Sequence, residues 1–204
     1  MVNSEYENKI LGIFLYNNLQ KFNEIEKKIK IRSNKLVYHM KKLLEKGILI
    51  KEGEYYSLSE ASEYLIPYLS DKKSILSILL IHLGDEKNIF LYRREKRPFK
   101  GLFSLPGGRI LVGENINSAV ERIMKKYNIK AKLKKVHSVS LEYVKKGDKI
   151  VHSFVLIFVS AVSKECVELM NVNKNKKKII SSDYFLIKNH LGKNVEIQEI
   201  VSTV

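Results

Sequence analysis

The chain has 204 residues, 45% of them hydrophobic and 29% charged, which fits a globular protein of one large or two small domains and excludes disorder. The only cysteine, Cys166, excludes an intrachain disulfide and suits a reducing cytoplasm. No run of about 18 apolar residues is present to cross a membrane. A formal charge of +15 points to polyanions, whether nucleic acid, anionic membrane or phosphorylated ligands, although scattered lysines also make an ordinary solvated surface.

The first residues, MVNSEYENKI, lack a basic start and an apolar core, so no signal peptide is expected. From Ser4 to about Leu19, the residues Ile10, Ile13, Phe14 and Leu15 recur at helical spacing, with Ser4 and Glu7 as a capping box. A short helix over Asn23–Ile29 and a tight turn at Lys30–Arg32 follow. Ser33 is placed as the N-cap of a third helix, Asn34–Lys46. Leu36, Val37, Met40, Leu43 and Leu44 form its inner stripe, with Lys35, Tyr38, His39, Lys41 and Lys42 mainly outside it. Gly47 ends that helix. Ile48–Ile50 and Tyr55–Leu58 read as a hairpin around Glu52–Gly53–Glu54, and a helix over Glu60–Leu69 closes the unit. The domain boundary is placed at Ser70–Lys73, giving domains 1–70 and 71–204.

In the second domain Ile75–His82 and Ile89–Arg93 read as strands, Pro98–Leu105 as an irregular passage and Asn117–Tyr127 as a helix with Ala119, Val120, Ile123 and Met124 inward. Ser138–Val144 and Lys149–Val162 read as a long hairpin, Asn171–Lys178 as a solvated loop, Tyr184–Ile187 as a short strand and Val195–Val201 as a terminal helix. The mixture is α+β.

Helix, helix, helix, hairpin, helix is the order of a winged helix-turn-helix. The words KLVYHMKKLLEKGILIKEGEYYSLSE resemble the ArsR-like winged-helix family over about 65 residues. Residues 21–51 hold 10 basic against 3 acidic side chains. Arg32, Ser33, Asn34, Lys35 and Tyr38 stand where a recognition helix meets base edges. Lys41 and Lys42 are placed on the DNA backbone, and Lys51 and Tyr55 on the wing. His39, a position that is commonly histidine in that family, is read as structural before it is read as a contact.

The words LYRREKRPFKGLFSLPGGRILVGEN resemble the Nudix superfamily, whose pattern is G-x5-E-x7-R-E-U-x-E-E-x-G-U, with U aliphatic. That resemblance implies an α/β/α sandwich on a mixed sheet. Gly108, Glu114 and Arg122 match it. The next glutamate is replaced by Ile123, and the glutamate pair by Lys126 and Tyr127, or by Lys125 and Lys126 in a register shifted by one. Carboxylates on this helix hold the divalent cation in the family, so their replacement implies a non-catalytic domain with no metal or other cofactor. Arg93, Arg94, Arg109 and Lys126 are candidate phosphate contacts. Phe103 is equally a stacking or a core residue, Gly107 and Gly108 supply backbone geometry, and Glu114 is a helix-proximal cap. Glu142 is noted as the kind of remote carboxylate that some members recruit, and is left unassigned. His39, His82, His137, His152 and His190 show no ligand spacing.

The leading expectation is a cytoplasmic, homodimeric transcription regulator that binds double-stranded DNA. Its Nudix-like domain would sense a nucleotide or phosphorylated effector, or serve only for dimerisation. The alternative is a Nudix hydrolase of nucleoside diphosphate derivatives with an atypical metal site.

Overall fold

A computed structural model describes residues 5–62, 65 and 75–202. The chain divides into two compact units, Met1–Ser74 and Ile75–Val204.

The first unit opens with helix α1 (Glu5–Phe14), a two-residue strand β1 (Gln20–Lys21), α2 (Phe22–Ile29) and α3 (Ser33–Glu45). Strands β2 (Leu49–Glu52) and β3 (Tyr55–Leu58) form a hairpin turning at Gly53. β1 pairs with β3, so the sheet order is β1-β3-β2, all antiparallel. Ile10, Leu11 and Phe14 of α1, Ile25 of α2, Leu36, Met40 and Leu43 of α3, and Leu49, Tyr56 and Leu58 of the hairpin make one apolar core. This is what the helical spacing of those residues dictates.

Several local expectations are corrected. α1 stops at Phe14, not near Leu19, and the chain enters the sheet at Gln20. Ser33 is the first residue of α3 and the cap position is Arg32, whose side chain makes no capping bond. The Ser33 hydroxyl donates to Glu26 instead. Val37 is 52% exposed, outside the inner stripe. His39 is buried, stacked on Tyr6 and edge-on to Tyr38. Glu7 is no cap: it is fully buried and salt-bridged to Lys46 Nζ at 2.9 Å and Lys42 Nζ at 3.5 Å. A buried carboxylate is tolerated only with such partners. Most of the expected Glu60–Leu69 helix, the Ser70–Lys73 boundary and Ser4 lie outside the described residues.

The second unit is built on a four-stranded sheet of order β8-β4-β10-β9. β4 (Leu76–His82) runs parallel to β10 (Lys149–Ser163). β9 (Ala131–Lys146) and β8 (Gly107–Arg109) are antiparallel to their neighbours. Two-residue ribbons flank it: β5 (Asn88–Ile89) pairs with β11 (Met170–Asn171), and β6 (Tyr92–Arg93) with β7 (Phe103–Ser104). α4 (Ile116–Lys125) covers one sheet face and α5 (Ser181–Asn189) the other. Alternation along β4 serves both layers. Leu79 and Ile81 pack with Ala119, Val120, Ile123 and Met124 of α4, while Leu80 joins Leu186 and Ile187 of α5. The result is a helix–sheet–helix sandwich, the arrangement that the Nudix resemblance implies.

Three readings of this unit change. Tyr184–Ile187, expected as a strand, lies within α5. Val195–Val201 forms no helix; the Val195 N–H donates to the Val136 carbonyl beside the sheet instead. The stretch Asn171–Lys178 is not wholly solvated, because Val172 is fully buried in the core on the α5 side.

Candidate functional site

A cavity of about 220 Å³ opens on the α5 face of the sheet. Its floor is apolar, made by Ile78 and Leu80 of β4, Leu156 of β10 and Leu105. Tyr92, Phe99 and Phe154 wall it with rings. Arg94, Arg109, Glu142 and Asp183 bring charge to it. An apolar pocket with a few converging polar groups is the usual form of a small-molecule site.

Asp183 is the most constrained of these. It lies in the first turn of α5 and is 3% exposed. Its Oδ2 accepts the Leu105 N–H at 2.8 Å and the Ser104 hydroxyl at 2.9 Å. Burial pushes its pKa up to about 6, against the opposing pull of those two hydrogen bonds; the Glu142 charge raises it further and Arg94 lowers it. Glu142 reaches the same cavity from β9, where it pairs with Phe154 of β10. Two carboxylates from distant parts of the chain therefore face one space.

Arg94 is fixed at the rim. Its Nε donates to the Pro98 carbonyl at 2.7 Å, and its backbone N–H donates to the Leu102 carbonyl. Gly107 and Gly108 pair with Leu80 and Leu79 as the edge strand of the sheet. A Cβ on Gly107 would stand 2.8 Å from the Leu79 carbonyl oxygen, so only glycine lets β8 approach here. Arg109 ends β8 opposite Ile78 and also lines the cavity.

Of the eight residues expected to contact a ligand, Arg94, Gly107, Gly108 and Arg109 are thus brought to one cavity. Arg93 is not: it is exposed and its Nε donates to the Gly101 carbonyl at 3.2 Å. Phe103 packs against the core on the α5 side, and its carbonyl accepts the Ile180 N–H. Its alternative as a stacking residue is not realised at this cavity. Glu114 is a brace. It accepts from Arg122 Nε at 2.5 Å and from the Leu111 N–H at 3.0 Å, which holds its carboxyl below the usual range. Arg122 also donates to the Arg109 carbonyl, tying α4 to β8. Lys126 follows α4, its Nζ 3.9 Å from where a Cβ on Gly108 would stand.

The α4 helix face does not fit a divalent cation. Glu114 is bound by Arg122, Ile123 is fully buried, and Lys125 and Lys126 carry positive charge. Among the described residues no group of three His, Cys, Asp or Glu side chains converges as metal ligands. Burial lowers the pKa of His82 and His137, and their rings meet the Asp85 and Lys193 carbonyls.

Sequence reasoning missed Asp183, Tyr92, Phe99 and Phe154, and left Glu142 unassigned. A signal existed for Asp183. Ser181–Ser182–Asp183 is a helix-start word, but it was overlooked because Tyr184–Ile187 reads as a strand.

In the first unit Arg32, Ser33, Asn34, Lys35 and Tyr38 lie exposed on the N-terminal half of α3, with Lys41 exposed further along it. Lys35 Nζ sits 3.8 Å from the Tyr6 ring. Lys42 Nζ lies 3.5 Å from a carboxylate oxygen of buried Glu7. Lys51 lies over the Tyr56 ring and Tyr55 is stacked by Lys21, both on the hairpin.

No family model matches the chain, and no curated protein matches it. Solved structures similar to it include the mutator MutT protein of Bacillus halodurans, 16% identical over 59% of this chain and 86% of that one, with a TM-score of 0.44. NrtR of Shewanella oneidensis is 17% identical over 55% and 60%, with a TM-score of 0.42. A Nudix-family hydrolase of Clostridium perfringens is 13% identical over 56% and 95%, with a TM-score of 0.41. No helix among the described residues is long and apolar enough to cross a membrane.

These findings correct the leading functional expectation. The similarities run to MutT and Nudix hydrolase structures, which side with the hydrolase alternative over a DNA-binding transcription regulator. The expectation of a non-catalytic domain is overturned with it. Its physical premise was too narrow: losing the helix glutamates does not empty the site of carboxylates, because Glu142 and Asp183 line the cavity from other elements. The C-terminal region resembles the Nudix-superfamily fold.

Proposed function

We propose that the second unit hydrolyses nucleoside diphosphate derivatives, using Asp183 and Glu142 in place of helix glutamates. The observation that carries this reading is the meeting of those two carboxylates with Arg94 and Arg109 around one cavity. The arginines suit a diphosphate, since guanidinium groups match phosphate oxygens in charge and geometry. The rings and apolar floor suit the less polar part of such a ligand.

Asp183 is the general base in this reading. A base acts best when its pKa lies near the working pH, and burial with Glu142 nearby brings Asp183 to about 6. Oδ2 is occupied by Leu105 and Ser104, so the proton goes to Oδ1. The carboxylate removes a proton from water, the water oxygen bonds to phosphorus, and the bridging P–O bond breaks. The departing phosphate keeps the bond's electron pair, with its charge met by arginine. Glu142 positions the chemistry through its charge, which keeps Asp183 basic.

The test is turnover of ADP-ribose by the wild type, Asp183→Asn and Glu142→Gln across pH 5–8. We expect the wild-type rate to rise through about pH 6 and then level, as Asp183 ionises. Asp183→Asn loses at least about 100-fold, in line with removal of a general base. Glu142→Gln shifts the inflection to lower pH. Equal rates in the wild type and Asp183→Asn would remove the assignment.

We also read the first unit as an ArsR-like winged helix-turn-helix. The succession of three helices and a hairpin supports it as a reading of fold, and it adds no activity.

A further inference from the structure

We propose that a groove at the C-terminal end of α4 receives residues 194–202 of a second copy of this chain, so that two copies exchange these segments in a dimer. The inference is independent of the hydrolase reading, because the groove shares no residue with the first cavity.

The groove has a volume of about 1050 Å³, at the upper limit for a small-molecule pocket and roomy enough for a stretch of chain. It lies between the last turns of α4, the start of β9 and the end of β10. Ile129 and Ala131, both buried, form its apolar floor, joined by Val162. Lys125, Lys130, Lys132 and Lys164 line it as well. All four are exposed, and no salt bridge engages them among the described residues. Two carboxylates share the lining, and each is held by a neutral donor. Glu121 accepts from Asn117 Nδ2 at 3.0 Å, and Glu165 from the Lys130 N–H at 2.8 Å. Four lysines against two glutamates leave the groove positive. The Ser163 hydroxyl donates to the Lys130 carbonyl at 2.7 Å, so the strand ends are tied together and the groove is formed in advance. Its chemistry suits an acidic segment with apolar side chains.

The chain carries such a segment. Residues 194–202, NVEIQEIVS, contain Glu196 and Glu199 and no lysine or arginine. The segment starts beside the sheet, where the Val195 N–H donates to the Val136 carbonyl at 3.1 Å and the Lys193 carbonyl meets the His137 ring. Beyond that hold Ile200 is 82% exposed and Val201 92% exposed. No residue of the segment lines its own groove. One copy therefore leaves a positive, apolar-floored groove open and an acidic, apolar segment uncovered. Opposite charge on the two sets the register of their pairing. Every copy carries both surfaces, so a two-fold pair fills both grooves at once.

The experiment is analytical ultracentrifugation of the full chain over a wide range of concentration, with a melting temperature recorded for every variant. The full chain is expected to dimerise. Ile200→Glu with Val201→Glu, and separately Lys132→Glu with Lys164→Glu, should each weaken the dimer by about tenfold or more, through lost apolar burial or like charge facing like. The lysine reversals lower the net charge from +15, so relief of general repulsion would strengthen association instead. Adding Glu196→Lys and Glu199→Lys to Lys132→Glu and Lys164→Glu should bring the dimer back. Lys177→Glu, on an exposed residue outside the groove, should weaken it by less than about twofold. A monomer at every concentration would overturn the proposal, whether the groove takes its own chain's segment or another ligand. A dimer unaltered by the folded variants would overturn it too, by placing the interface elsewhere.

Discussion

Asp183 answers two demands at once. It ties α5 to the Ser104–Leu105 backbone, and it offers a carboxyl group to the cavity. Its raised pKa has a consequence for stability. Between its ordinary value of 3.8 and its folded value of about 6, the folded chain holds a proton that the unfolded chain has lost. The contribution of Asp183 is therefore full below about pH 4 and is lost as pH rises through about 6, on the order of 3 kcal/mol. Asp183→Asn has no such titration. Urea unfolding at pH 4 and pH 7 should show wild-type stability falling relative to that variant by this order, and parallel behaviour would contradict it. The residue scale is also where the sequence was least legible. Gly107, Gly108, Arg94 and Arg109 stand out because glycine and arginine are conspicuous in a short motif. Asp183 and Glu142 are ordinary acids until the fold brings them together across residues far apart in sequence. His39 is read as structural in the sequence, and the structure buries it against Tyr6 of another helix.

Among the elements, α4 was the most legible. Ala119, Val120, Ile123 and Met124 repeat at helical spacing, and all four are fully buried. Ile123 fills the site of a family glutamate and packs its Cγ1 3.2 Å from where a Gly108 Cβ would stand. Ile123→Ala should therefore cost about 2–5 kcal/mol in chemical denaturation, the range for truncating a buried aliphatic side chain. A cost below about 1 kcal/mol would show that α4 is not packed as described. α5 was illegible because Tyr184, Phe185, Leu186 and Ile187 are consecutive and show no 3.6-residue stripe. The start of β9 was missed for another reason. Ala131–His137 interleaves lysines with apolar residues, and register shifts against β10 disturb its alternation.

At the scale of the whole molecule, the two-unit division could be read from the change between helical and β-rich patterns, and the chain does divide into two compact units. Function was less legible from the same view. The charge of +15 suits any polyanion, so it cannot choose between a nucleic acid and a diphosphate. The choice turns on where charge meets a cavity. The measurement that addresses this most directly is a ³¹P NMR time course of the full chain with ADP-ribose and other nucleoside diphosphate derivatives, run with EDTA and with Mg²⁺. The account predicts that a diphosphate signal gives way to monophosphate signals, and that Asp183→Asn leaves it unchanged. A diphosphate signal that persists with the wild type under every condition would contradict the hydrolase reading.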